Sequence, residues 1–370
     1  MKKADNPEKI RISNHQFFSL AAGGAIGGTT VIISSLVASI AKQDAWITAL
    51  ITPVMGVFVL WIYFFLGKAY PEMTIIGIAK QIFGKWLGII VSAGYVIFFL
   101  QVSFNITWHV GDFTGHILHE TPVYAINGLF IAVIVVAVLY GVEAFARTSE
   151  LLMKGVFIAF FIALLLIPKV NIQNLLPVLE NGFVPVLKAS VFMFPFTTFP
   201  LIALMMIFPI NLVDLKQAGK SLRKGYLLAS FLVFIVIIAS ILVVGSNISA
   251  KSQYPTFLVA KEIDIAGIFT RLEFVITTIW LITQFVINLL FFYAGTKALA
   301  EFLGLKDYRK IVMPLSLIIL VMSGISFPDT IYQANWNSIN WTPYAATFGL
   351  VIPSIMLIVF WIKKKFSKRI

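Results

Sequence analysis

The 370-residue chain contains no cysteine and little charge: 12% of its residues are Asp, Glu, Lys or Arg, against 59% that are hydrophobic. Without cysteine there is no disulfide framework, no thiol nucleophile and no thiolate metal site. HExxH, a phosphate-binding loop and a dinucleotide fingerprint behind a strand are missing as well. Ser34 and Ser35 have no general base in view. His116, His119, Glu120 and Asp112 crowd one polar loop, where such residues are ordinarily just solvated. The reading is therefore of a protein that is not an enzyme, with no cofactor and no metal expected.

What is present is apolar length. A mean hydropathy of +0.95 is that of an integral membrane protein. The net charge of +12 does not point to nucleic acid, because the basic residues sit in short links and tails between apolar runs. Ten runs are long enough to cross a bilayer, at about 16–40, 46–67, 86–110, 123–141, 150–168, 186–208, 225–247, 268–295, 311–327 and 343–362. No cleavage-type ending follows the first, so it is expected to double as the insertion signal. A short amphipathic piece at 73–85 is expected to lie along the interface. Ten spans put 22 of the 28 Lys and Arg on the side shared by both termini, which places the termini in the cytoplasm.

Two spans carry interruptions. Span 1 holds Gly23, Gly24, Gly27 and Gly28, and glycine costs about 1 kcal/mol against alanine in a helix interior. The same spacing also satisfies the GxxxG pattern of close helix packing, so weak helix and tight packing remain alternatives. Span 6 reads Phe194-Pro-Phe-Thr-Thr-Phe-Pro-Leu201; each proline removes a backbone donor, and a kink or opening is expected there. Spans 1 and 6 open the two five-span halves, 16–168 and 186–362, between an arm at 1–15 and a basic tail at 363–370. Five is odd, so the halves insert with opposite topology. The expected fold is all-α, a five-plus-five inverted repeat with broken helices 1 and 6 and a ligand site at mid-membrane.

Polar groups that could serve such a site are few. Gly24 lies in the first break, and Thr197 and Thr198 offer hydroxyls in the second. Trp280, Gln284 and Asn288 recur at i, i+4 and i+8 in span 8, with Ile287 and Phe291 on the same side. In span 3, Tyr95, Phe98, Phe99 and Val102 could form an aromatic wall, with Gln101 and Asn105 on another face. No Asp or Glu lies centrally in any span; Arg271 and Glu273 sit near the end of span 8. That argues against a carboxylate-coupled proton symporter.

Ile12-Ser-Asn-His-Gln-Phe-Phe-Ser-Leu20, the glycine break and Ala41-Lys-Gln-Asp-Ala-Trp-Ile47 together resemble the permease-like B subunit of bacterial spore germinant receptors. Gly84-Lys-Trp-Leu-Gly88, Leu176-Pro-Val-Leu-Glu-Asn-Gly182, Arg271-Leu-Glu-Phe274 with Trp280, and Tyr293 through Gly304-Leu-Lys-Asp-Tyr-Arg309 extend the resemblance over nearly the whole chain. That family lies within the amino acid–polyamine–organocation transporter superfamily. The resemblance implies sensing of a small nutrient, often an amino acid, in the endospore inner membrane. It also implies A-type and C-type receptor subunits as partners. Its pocket positions fall on Ala25, Ile26 and Gly27, on Phe98 and Val102, on Thr198, Phe199 and Leu201, and on Ile287 and Phe291. Ile287 and Phe291 are less polar than in alanine-responsive relatives, which shifts the expected polar contact to Gln284 or Asn288. An amino-acid permease is the other reading.

Overall fold

The computed structural model describes residues 11–27, 30–165, 170–261 and 273–367. Gly28, Arg271 and the first ten residues of the arm, all within stretches named above, lie outside these residues. Among the described residues the secondary structure is helical, apart from a single bridge between Ile12 and Leu212. That bridge pins the arm: Ile12 N donates to the Asn211 carbonyl at 2.7 Å, and Val213 N to the Ile12 carbonyl at 3.2 Å.

Helix α1 spans Asn14–Ile26 and begins at a capping box, in which Ser13 Oγ accepts from Gln16 N and Gln16 Oε1 from Ser13 N. Helix resumes as α2, Ile33–Ala41, after turn residues at 27 and 30–32. Then follow α3 (Ala45–Ala69), α4 (Ile75–Gly115), α5 (Val123–Tyr140) and α6 (Val142–Leu165). The second half opens with α7 (Val184–Thr197) and a 3-10 segment, Phe199–Met206. It continues with α8 (Leu215–Val244), the short α9 (Ser246–Lys251) and α10 (Pro255–Lys261), then α11 (Glu273–Phe302) and α12 (Val312–Ile325). The last stretch winds through α13 (Thr330–Trp336), α14 (Thr342–Ala346) and α15 (Ile352–Ser367), with π-helical turns at Asn337–Trp341 and Thr347–Val351.

Among the described residues, eight helical stretches are long and apolar enough to cross a membrane. They omit α1, which has only 13 residues, and α6, which carries Glu143, Arg147, Glu150 and Lys154 in its first half. Those charges pair along the helix, Arg147 with Glu143 at 2.5 Å and Lys154 with Glu150 at 2.8 Å. Residues 142–149, between the fourth and fifth expected spans, are thus the first two turns of α6, and most of 209–224, between the sixth and seventh, is the start of α8. Large apolar side chains such as Val54, Phe58, Ile90, Ile97 and Leu129 are exposed along the helices, as a lipid-facing surface requires.

The piece at 73–85 does not lie free on the interface. It forms the first turns of α4, set off from the rest by Gly84 at φ 78°, a conformation that glycine adopts without strain. Ile75, Ile76, Ile78 and Ala79 are buried in the protein. Thr74 Oγ1 donates to Glu301 at 2.7 Å, and Lys363 Nζ to the Ile82 carbonyl at 2.8 Å. Four apolar positions within five residues bury better against the ends of neighbouring helices than in headgroups.

Candidate functional site

The first interruption falls at the end of the glycine run. Gly23 and Gly24 are regular helix, and Gly27 N still donates to the Gly23 carbonyl at 2.9 Å. Their lack of a side chain is used for packing: a Cβ on Gly27 would lie 2.6 Å from Ile287 of α11, and one on Gly24 would lie 3.1 Å from Leu201. Both sequence alternatives therefore hold, at different residues. The close approach involves Gly23, Gly24 and Gly27, and the helix stops just beyond.

The second interruption falls at the later of the two prolines. Helix α7 continues through Pro195 to Thr197, and only after Thr198 does the winding tighten to 3-10. Pro195 lies inside α7 and leaves the Val191 carbonyl without its intrahelical donor, whereas Pro200 sits at the start of the 3-10 segment. The contact between Gly24 and Leu201 joins the two broken elements directly.

Beside them lies a cavity of about 60 Å³. Ile32 comes from the first break, and Pro195, Phe196 and Pro200 from the second. Val102, Asn105, Ile106 and His109 line it from α4, Gln284 and Ile287 from α11, and Phe327, Asn337 and Trp341 from the last segments. Gln284 is 2% exposed, and among the described residues neither its Oε1 nor the indole Nε1 of Trp341 has a hydrogen-bond partner. A buried acceptor and a buried donor left open cost about 1–3 kcal/mol each, which a polar solute or water recovers. Gln333 Nε2 sits 3.3 Å from His109 Nε2, the nitrogen that accepts when the ring proton is on Nδ1.

Of the residues singled out in the sequence, Val102, Asn105, Gln284 and Ile287 reach this cavity, with Pro195 and Pro200 of the second break. Phe98 stands behind Trp341, stacked on Phe348 at 4.7 Å and touching Phe291 at 6.2 Å. Gly24, Ala25, Ile26, Gly27, Phe199, Leu201 and Phe291 are buried around the breaks without lining it. Three polar candidates are committed elsewhere. Asn288 accepts from Ser103 at 2.6 Å and donates to Thr107 at 2.9 Å. Thr198 meets the Tyr226 hydroxyl at 2.8 Å, and Thr197 donates to the Met193 carbonyl at 3.2 Å. A hydroxyl next to a helix break finds a backbone or side-chain partner before it faces a cavity.

His109, Asn337 and Trp341 were missed. Val102, Asn105, Ile106 and His109 follow the i, i+3, i+4, i+7 spacing of one helix face, which was the available signal. Asn337 and Trp341 precede the predicted start of span 10, and no periodicity pointed to them.

Comparison with known proteins fits this geometry. The chain is similar over 369 residues to spore germination protein KB of Bacillus subtilis (strain 168), at 27% identity and covering 98% of each chain. It is 26% identical to spore germination protein YndE of the same organism, over 70% of this chain and 72% of that one. Among solved structures, Mhp1, a nucleobase-cation-symport-1 family transporter in a closed conformation with bromovinylhydantoin bound, superposes with a TM-score of 0.69 at 14% identity. That match covers 95% of this chain and 80% of Mhp1. MhsT in complex with L-phenylalanine gives 0.64 at 15% identity, over 96% and 99%. At such identities the likeness is one of fold. The model of the spore germination protein family matches residues 11–330, and the chain belongs to that family, built on the fold of membrane transporters.

Proposed function

We propose that this chain is the nutrient-binding membrane subunit of a spore germinant receptor, holding a small solute between the two helix breaks. The observation that carries the reading is the cavity beside those breaks, with the Gln284 carbonyl and the Trp341 indole N–H both open. One acceptor and one donor in an otherwise apolar, aromatic enclosure suit a small solute that has both, such as an amino acid.

A space of about 60 Å³ has room for a few waters but falls well short of the roughly 150 Å³ that takes a benzene ring. An amino acid therefore enters only if the walls part, and Trp341, whose ring lies 6.3 Å from that of Phe196 between centroids, forms one of those walls. The ligand then biases an equilibrium between closed and expanded states, by no more than its differential affinity for the two. A- and C-type subunits in the endospore inner membrane would receive that change, with both termini of this chain in the cytoplasm.

The second reading, a permease that translocates its ligand, is favoured by the fold shared with transporters holding bound solutes. Two measurements separate them. Thermal-shift screening of the purified chain against amino acids, sugars and nucleosides should find a stabilising ligand, by about 2.7 kcal/mol at a hundred times its Kd. If none stabilises, the site is not a solute site. Uptake of that labelled ligand into proteoliposomes holding this chain alone would establish the permease.

A further inference from the structure

We propose that a groove between α3 and the first turns of α8 is a binding site for an anionic phospholipid. The groove encloses about 780 Å³ on the outer surface of the bundle, away from the central cavity. One end is aromatic: Phe58 stacks on Trp61 at 5.8 Å, and Trp61 meets Phe65 at 5.7 Å. Phe58 is 61% exposed and Trp61 45%, so this surface faces whatever surrounds the protein. Gly219 sets the floor, because a Cβ there would stand 2.9 Å from the Phe64 ring; only a residue without one lets α8 come this close to α3.

The other end is basic. Lys68 closes the last turn of α3, and Lys216, Lys220 and Arg223 lie on one face of α8 at i, i+4 and i+7. All four are exposed, and among the described residues none is ion-paired with a carboxylate. Asp214, the nearest acid along α8, is turned to the backbone instead, accepting from Lys216 N at 2.8 Å and Gln217 N at 3.4 Å. Arg223 spends one donor on the Gly219 carbonyl at 3.3 Å and keeps the rest of its guanidinium.

An apolar, aromatic trough ending in four free cations has the polarity of a phospholipid laid along it. The acyl chain covers the rings, and the phosphate meets the cations where the spans leave the membrane. A second copy of this chain would bring its own basic end against this one and leave the charge unmatched.

The test uses the full chain in detergent, titrated with dioleoyl-phosphatidylglycerol or dioleoyl-phosphatidylcholine and read by native mass spectrometry. One phosphatidylglycerol should be retained under conditions that strip phosphatidylcholine. Lys216→Gln with Lys220→Gln should weaken its retention by roughly fivefold per charge. Lys68→Gln, on the other helix, should give the same single-charge loss, so the test survives if the double variant fails to fold. Trp61→Ala should weaken both lipids alike. Equal retention of the two lipids, or an unchanged double variant, overturns the site. So does displacement by millimolar inorganic phosphate, which would mark a site for the anion alone, or a crosslink from Phe58→Cys to a second copy.

Discussion

Asn288 of α11 and Ser103 of α4 share a buried hydrogen bond of 2.6 Å, and the same asparagine donates to Thr107 one turn further along α4 at 2.9 Å. One amide thus clamps two turns of a neighbouring helix at the centre of the bundle. Each of its polar atoms has a protein partner, and the amide is engaged in holding the two helices together.

Asn288→Ala should therefore act on stability before it acts on recognition. Hydrogen bonds between membrane helices average about 0.6 kcal/mol, so losing two, with the small void left, should cost about 1–2 kcal/mol. A thermal melt in detergent measures this, and the ligand-induced shift should persist in the variant. Loss of that shift with an unchanged melt would return Asn288 to the site.

Gln284→Leu should do the reverse. Its Oε1 has no partner among the described residues, so removing it relieves a buried penalty of about 1–3 kcal/mol rather than breaking a bond. The apo protein should melt at the same temperature or higher and no longer respond to the ligand. A variant that melts lower while keeping the full response would show the carbonyl to be structural.

Gly27→Ala should push α1 away from α11, because the new Cβ meets Ile287 at 2.6 Å. Overpacking of this kind costs about 1–3 kcal/mol. Adding Ile287→Gly, which removes both the Cβ and the Cγ2 that lie 2.6 Å away, should recover part of it, so the two changes should be non-additive. Melting the single and double variants decides this. Additive losses would mean that α1 is held at that point by something other than its fit to α11.

The surface segment at Tyr254 predicts an alkaline signature. Its hydroxyl donates to Asp112 at 2.6 Å; burial, then the Asp112 charge, pushes the phenol well above its usual 10.0. A raised pKa means that the folded form keeps the proton after the unfolded form has lost it. This contribution is present in full below pH 10 and fades as pH rises above it. Melts taken from pH 8 to 11 should fall more steeply for the wild type than for Tyr254→Phe. Parallel curves would mean that the hydroxyl does not hold its proton in the fold.

The positions of the interruptions were legible in the sequence because glycine and proline act through the backbone, wherever the chain folds. Gly27 and Pro200 mark the breaks whatever packs around them. The role of each glycine was not legible, since Gly23 and Gly24 serve contact with residues far along the chain. Gln284 was readable as part of a stripe on one helix, but its neighbour Asn288 looked the same. Only the Ser103 and Thr107 hydroxyls opposite distinguish the two. His109 lay on a readable face, yet a lone histidine among apolar residues carries no spacing of its own.

Apolar length, the placement of lysine and arginine and the two weakened helices follow from local chemistry: the cost of leaving a peptide group or a charge in lipid is set residue by residue. Which side chains surround the cavity, and which polar groups are left open there, depends on elements as distant as α4, α11 and the Trp341 segment meeting across the bundle. A hydrogen bond is satisfied or orphaned by its neighbour in space, and that neighbour exists only once the helices have packed.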